Sequence, residues 1–439
     1  MLFNPVDNRW LYGMVDGTFR AIEPLSNYWL ATAKQLTRIS DAMNIPANLP
    51  YVSIKKDDDL IKNTRYMLRA MAGTLYVSHM LTDIYHKPEF GIEDVLIGDT
   101  YYDVIEEIVD KKSFCDLLRF RKVMKGENKY PKMLLVAPMS GHYATLLRDT
   151  VRDMLPFYDI YITDWKNARD VPITEGAFDF DEFAEYMVSY MRLLGPDLHV
   201  MAVCQSTVPV LVALALMSKV NDPAMPATVS LLGGPIDTEQ APTSVNNLAT
   251  TRGDDWFKQN VISIVPSHYP GYMRLVYPGF MQLSGFMSMN LERHIDSLRD
   301  AIQHYAAEDV DDALKIVKFY LEYFATMDLT AEFYMQTIHT VFQEKLLVKG
   351  RLKSRGHYAQ LHDIKKTAIL AIEGGKDDIT GVGQTKSVLT LCKNLPDDMK
   401  KYVLAEEVGH YGLFNGSKFR NIILPEIREF TKAHSPVKH

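Results

Sequence analysis

A series of short apolar runs, with helix-like stretches between them, constrains this chain more than any other feature. "KMLLVAPM", "YDIYITDW", "LHVMAV", "ATVSLLGGP", "KTAILAIEGG" and "KKYVLAEEV" follow one another from residue 132 to residue 408. Each is strand-length and mostly apolar without strict alternation, which is how a strand covered on both faces reads. Before them, Tyr102 to Val109 and Ser113 to Val123 read as two further strands. "FDFDEFAEYMVSYMRLLG" opens with acidic residues and closes on Gly195, as a capped helix should. Strands alternating with helices specify a mostly parallel central sheet flanked by helices, an α/β fold.

The alternation begins near residue 90 and is interrupted once. Residues 1–89 read as an N-terminal helical segment, with apolar residues at helical spacing and no recognisable chemistry. Residues 90–235 form the first part of the α/β core and residues 351–439 the second. Between them, residues 236–350 show helix-like stretches and no good buried strand, which reads as an inserted helical cap. Within it, "SHYPGYMRLVYPGFMQLSGFMSMN" (Ser267 to Asn290) holds proline and glycine that block regular structure, beside many Met and aromatic residues. That composition suits an adaptable apolar contact surface, and Phe286 and Met287 are its candidate substrate-binding residues.

Composition removes several function classes. The net charge of −7 and the lack of a Lys/Arg cluster argue against a nucleic-acid partner. No basic segment leads into an apolar one at the N-terminus, and no run of about 18 apolar residues occurs, so the expectation is a cytoplasmic protein with no transmembrane segment. Three widely spaced cysteines, Cys115, Cys204 and Cys392, suit reduced thiols and not a disulfide framework or a metal site.

Of these thiols, Cys204 has a distinctive setting. In "VMAVCQSTVPVLVALALMS" a strand-like run ends at Val203, and a helix with proline in its first turn follows. A nucleophile elbow places its reactive residue in such a turn and needs small residues two positions to either side, where strand and helix backbones nearly touch. Ala202 and Ser206 meet that need, although the commoner glycines are absent. Chain order supplies the partners. An α/β-hydrolase places nucleophile, acid and histidine in that sequence, the last two in loops after late strands. Asp377 and Asp378 follow "TAILAIEGG", and His410 follows "YVLAEEVG". Individually, the acid could cap a helix and the histidine could be merely solvated; their order at strand ends argues for a triad. Backbone donors for an oxyanion are expected from Gln205 and from the loop holding Met139 and Ser140. His142, in that loop, is a second candidate base, ranked below His410, and a substrate-binding candidate.

The stretches "LLVAPMSGHYATLLRDTV", "YITDWKNARDVP", "MAVCQSTVPVLVAL", "LLGGPIDT", "IEGGKDDITG" and "GHYGLFNGSKF" together resemble the intracellular poly(3-hydroxybutyrate) depolymerases, from about residue 90 to 430. The resemblance implies an α/β-hydrolase fold with a Cys204, Asp377 and His410 triad that cleaves ester bonds of stored polyester granules. It implies water or coenzyme A as acyl acceptor, with no other cofactor and no metal. Asp378 stays open as the acid, and the oligomeric state stays open, a homodimer included. Two alternatives remain: a related polyester synthase, disfavoured by the Ala202 and Ser206 flanks and by Asp378 after the acid, and a granule-coat protein without chemistry, which would leave the ordered triad unexplained.

Overall fold

The computed structural model describes residues 11–43, 59–126 and 130–435. Nine strands form the main sheet: β1 (Asp94–Ile97), β2 (Thr100–Lys111), β3 (Cys115–Lys122), β4 (Lys132–Val136), β5 (Asp159–Trp165), β6 (Leu198–Val203), β7 (Thr228–Leu232), β8 (Ala368–Gly374) and β9 (Lys400–Ala405). Their spatial order is β1-β2-β3-β5-β4-β6-β7-β8-β9. β1, β2 and β3 pair antiparallel and β3 meets β5 antiparallel, whereas every pair from β5 to β9 is parallel. This is the α/β-hydrolase sheet. β5, β6, β7 and β8 are buried along their whole length, which explains their unbroken apolar runs.

The order fixes where a site can form. From β4 the chain crosses to β5 on one side and then to β6 on the other, so the loops leaving β4 and β6 diverge at a switch point. A crevice at the carboxyl ends of the strands opens there. The helix Phe180–Leu194 covers one flank, its first turn capped by Asp179, whose side chain accepts from the Glu182 N–H at 2.8 Å. The helix Thr207–Lys219 after β6 is apolar on all sides and buried through Ala215, as a helix packed under a sheet must be.

The chain divides into two compact units, and the division differs from the expected one. The first holds residues 88–279 and 327–439 with the main sheet; the second holds residues 10–87 and 280–326. In the second, the helix Leu11–Ala42 packs on Asp59–Thr82, which packs on Leu291–Ala306, which packs on Val310–Phe324. The N-terminal helices are therefore not a separate segment, and only the middle of residues 236–350 leaves the sheet-bearing unit. The flanks stay with it for identifiable reasons. Phe333 stacks on Phe183 at 5.8 Å, and the Arg274 guanidinium donates to the Val171, Pro172 and Gly176 carbonyls. Residues 236–350 also contain a small three-stranded sheet (Ser263–Ile264, Leu275–Tyr277 and Leu329–Thr330), where no strand was expected. The stretch 267–290 is not irregular throughout: Pro278 directly precedes a helix, Gly279–Met289, in which Gly285 is tolerated. Among the described residues no helix is long and apolar enough to cross a membrane.

Candidate active site

Three loops converge on Cys204. Fully buried β6 delivers it, and its backbone turns into the left-handed region at φ +56°, an unfavourable conformation for a side-chain-bearing residue. The neighbouring Ser206 holds that turn. Its hydroxyl accepts from the Val203 N–H at 3.0 Å and lies within donating distance of the Val136 and Val203 carbonyls, 2.9 and 2.8 Å away. A serine in place of the commoner glycine thus ties the end of β4 to the elbow. Thr207 donates to the Cys204 carbonyl at 2.8 Å, and a Cβ added to Gly234 would stand 2.0 Å from that same hydroxyl oxygen. Only glycine fits there.

The acid loop leaves β8. Asp377 Oδ1 accepts from the Ile379 and Thr380 N–H groups at 2.9 and 2.8 Å, while Oδ2 lies 2.7 Å from His410 Nδ1. Both side chains are almost wholly buried, at 1% and 4% exposure. Asp378 is exposed, so between the two adjacent carboxylates it is Asp377 that meets the imidazole. With Nδ1–H given to Asp377, Nε2 is left for the Cys204 thiol, which lies close enough to shift the pKa of the ring. Gly233 lies against this pair with φ +55°: a Cβ there would come 3.3 Å from Asp377 Oδ2 and 3.4 Å from His410 Cε1.

The acid and base loops run backbone to backbone. Added Cβ atoms on Gly374 and Gly375 would each stand 2.4 Å from a carbonyl oxygen, of Val408 and Glu406 respectively. The Lys376 N–H donates to the Val408 carbonyl at 3.0 Å. Beneath them Glu373, 1% exposed, accepts from the Gly383, Thr385 and Lys386 N–H groups and from the Tyr402 hydroxyl, at 2.7 to 2.9 Å. Sequence reasoning missed it, yet an acidic residue inside the apolar run "KTAILAIEGG" was the available signal: a carboxylate buried in a sheet must have donors around it.

Partners separate Cys204 from the other thiols. Burial pulls the His410 pKa down, but its interactions with Cys204 and with the Asp377 carboxylate outweigh it and raise it well above the ordinary value. Cys115 and Cys392 have no such partner: burial pushes the first thiol well up and the second to about 12, so both stay protonated. Among the described cysteines only Cys204 has a base within reach.

The loop after β4 forms the facing wall. Its backbone is anchored by the Ala137 N–H on Thr163 Oγ1 (2.9 Å) and by the Trp165 indole on the Ala137 carbonyl (2.9 Å). Met139 is buried, Ser140 half-buried, and Gly141 takes φ +113°. Neither the Met139 nor the Ser140 N–H donates to an acceptor among the described residues. Gln205 occupies the first turn after the nucleophile position. His142 is buried, its ring edge-on to Tyr411 at 6.5 Å, but it is His410 that engages the carboxylate. Phe286 and Met287 lie half-buried on the helix Gly279–Met289 of the other unit.

Residues 233–435, which hold Asp377, His410 and the Gly233 that packs against them, match the family described as PHB de-polymerase C-terminus. This match supports a PHB depolymerase family for the chain. No curated protein matches the sequence. Solved structures similar to the chain include a monoacylglycerol lipase from Paleococcus ferrophilus (13% identity, 70% of this chain and 96% of that one, TM-score 0.41). A hydrolase from Oleispira antarctica is 11% identical over 74% of this chain and 99% of that one, with a TM-score of 0.40. A thermophilic esterase from Thermogutta terrifontis is 9% identical over 76% of this chain and 99% of that one, with a TM-score of 0.38. The fold assignment rests on strand order and not on these likenesses. Family and fold together support an ester hydrolase of the depolymerase kind.

Proposed function

We propose that this protein is a PHB depolymerase that cleaves the ester bonds of poly(3-hydroxybutyrate) through a Cys204, His410 and Asp377 triad and an acyl-thioester intermediate. The observation that carries this reading is the buried 2.7 Å Asp377 to His410 contact beside a cysteine held at positive φ. A buried ion pair costs desolvation and adds little stability on its own, so a chain that only coated a granule would have no use for one placed there.

In the proposed cycle His410 Nε2 takes the Cys204 thiol proton and Sγ attacks the ester carbonyl carbon. Asp377 holds the imidazole tautomer and stabilises the imidazolium. The backbone N–H of Gln205, with that of Met139 or Ser140, receives the oxyanion. The C–O bond then breaks, His410 gives its proton to the departing alkoxide, and the acyl group remains on sulfur. In the second half His410 deprotonates water, or the thiol of coenzyme A, which attacks the thioester and returns Cys204. The substrate would be the surface of a storage granule, and Phe286 and Met287 remain candidate contacts to it. Incubating the pure protein with amorphous poly(3-hydroxybutyrate) granules, with and without coenzyme A, tests the reading. Free hydroxy acids mean hydrolysis and acyl thioesters mean thiolysis; intact granules under both conditions contradict it.

A further inference from the structure

The helices Leu11–Ala42 and Asp59–Thr82 bury polar groups beside apolar ones and expose large apolar side chains. Their buried positions include Ser26, Ser40 and Arg69, while Leu25, Tyr28, Ile39, Met67, Met71 and Leu81 are exposed, Tyr28 to 66% and Met67 to 64%. Most of the interior polar groups satisfy one another, the buried Arg65 Nε being an exception. Ser26 Oγ lies 2.8 Å from His79 Nδ1 and accepts from Thr82 at 2.9 Å, and Arg69 donates to Ser40 and Asp41.

The exposed face follows helical geometry. Met14, Leu25, Tyr28 and Ile39 are spaced 11, 3 and 11 residues apart, which keeps them within about 60° of arc along roughly 37 Å of helix. From Asn63 to Leu81 the only Arg, Lys, His, Asp or Glu residues are Arg65, Arg69 and His79, and their side chains are at most 17% exposed. Even the serine and threonine hydroxyls on these helices are engaged. Thr18, Thr32, Thr64, Thr74 and Ser78 each donate to the carbonyl four residues earlier, at 2.7 to 2.9 Å. Helices that keep polar side chains inside, satisfy hydroxyls on their own backbone and present large apolar groups are arranged for surroundings without water.

We propose that this face docks the protein on an uncharged apolar polyester surface. The partner's identity rests on the proposed function; the face itself does not. Charge decides against the other occupants. A helix that binds anionic lipid carries Lys or Arg along its polar face; the Asp59–Thr82 helix turns its arginines inward, and the exposed Arg20, Lys34 and Arg38 of Leu11–Ala42 lie outside the Met14, Leu25, Tyr28 and Ile39 stripe, Arg20 paired with Asp16. Methionine and leucine on a smooth, charge-free stripe suit an amorphous polymer, which offers no fixed pockets to match.

The test is co-sedimentation of the full chain with amorphous poly(3-hydroxybutyrate) particles, comparing wild type with the triple variant Tyr28→Ser, Met67→Ser, Met71→Ser. These side chains are exposed, so the fold should persist. Apparent affinity should fall at least about tenfold, turnover of a short soluble ester should be unchanged, and wild-type binding should be insensitive to salt, since no charges are involved. Unaltered affinity in the variant overturns the proposal. So does a change from dimer to monomer with polymer binding intact, which would make the face a self-association surface, and so does a preference for phosphatidylglycerol vesicles over polymer. If wild type binds the particles through this face but cleaves neither polymer nor ester, the proposed function fails and the docking surface stands.

Discussion

Replacing Asp377 with Asn changes one atom and should expose how the pair with His410 works. The aspartate accepts three hydrogen bonds: two from the Ile379 and Thr380 amides on Oδ1 and one from His410 on Oδ2. Asparagine can keep the two amide bonds with its single oxygen, which turns its NH₂ toward Nδ1. Two donors cannot share that 2.7 Å contact, so His410 must move its proton to Nε2 and present an N–H to Cys204 where a base is needed. The lost charge-assisted hydrogen bond is worth about 1.5–3 kcal/mol, or roughly 10- to 150-fold. The wrong tautomer adds to this, and in serine triads the same exchange costs about 10⁴. The expected fall in kcat/KM on a short soluble ester is therefore roughly 10²- to 10⁴-fold. Iodoacetamide should report the same change without turnover: its reaction with Cys204 near pH 6 should slow in the variant, because imidazolium no longer supports the thiolate. Kinetics within about threefold of wild type would refute the assignment of the acid, most directly if Asp378→Asn were the inactive variant.

Three further outcomes follow from the same geometry. Gly234→Ala puts a methyl 2.0 Å from Thr207 Oγ1 in a buried elbow and should cost about 1–3 kcal/mol in urea unfolding, with kcat reduced; an unchanged midpoint would contradict the packing described. Glu373→Gln places an NH₂ against either the Gly383 N–H or the Thr385 and Lys386 N–H groups and should destabilise by about 1–3 kcal/mol, with activity falling as the acid loop loosens. Because the folded-state pKa of His410 is raised, its stabilising contribution is present in full below the unfolded value of about 6.5 and is lost as pH rises through the higher folded value. Urea midpoints between pH 6 and 9 should therefore decline more steeply for wild type than for Asp377→Asn, and equal slopes would contradict the pairing.

The parts legible in the sequence were those whose physics is local. β5 to β8 are covered on both faces, so their residues had to be apolar in unbroken runs. Ala202 and Ser206 marked the elbow because backbone crowding there limits side-chain size. What stayed hidden depends on partners distant in sequence. Pairing of Asp59–Thr82 with Leu291–Ala306 joins segments more than 200 residues apart, and neither carries a mark of the other. The two-residue strands Ser263–Ile264 and Leu329–Thr330 are too short to show a period. The helix Gly279–Met289 was hidden by its own glycines, which a propensity argument counts against it. In the N-terminal helices the apolar spacing was visible but not its sense: a stripe at helical period does not say whether it faces the core.

The most direct test of the account is where the acyl group rests during turnover. A short 3-hydroxybutyrate ester mixed with the protein and quenched in acid within the first turnovers should leave a hydroxyacyl adduct on the peptide containing Cys204, found by mass spectrometry and discharged by hydroxylamine. The adduct should be absent in Cys204→Ala, which should still sediment with polymer. Full esterase activity in Cys204→Ala, or an adduct on any other residue of the wild type, would contradict the proposal that this thiol is the nucleophile.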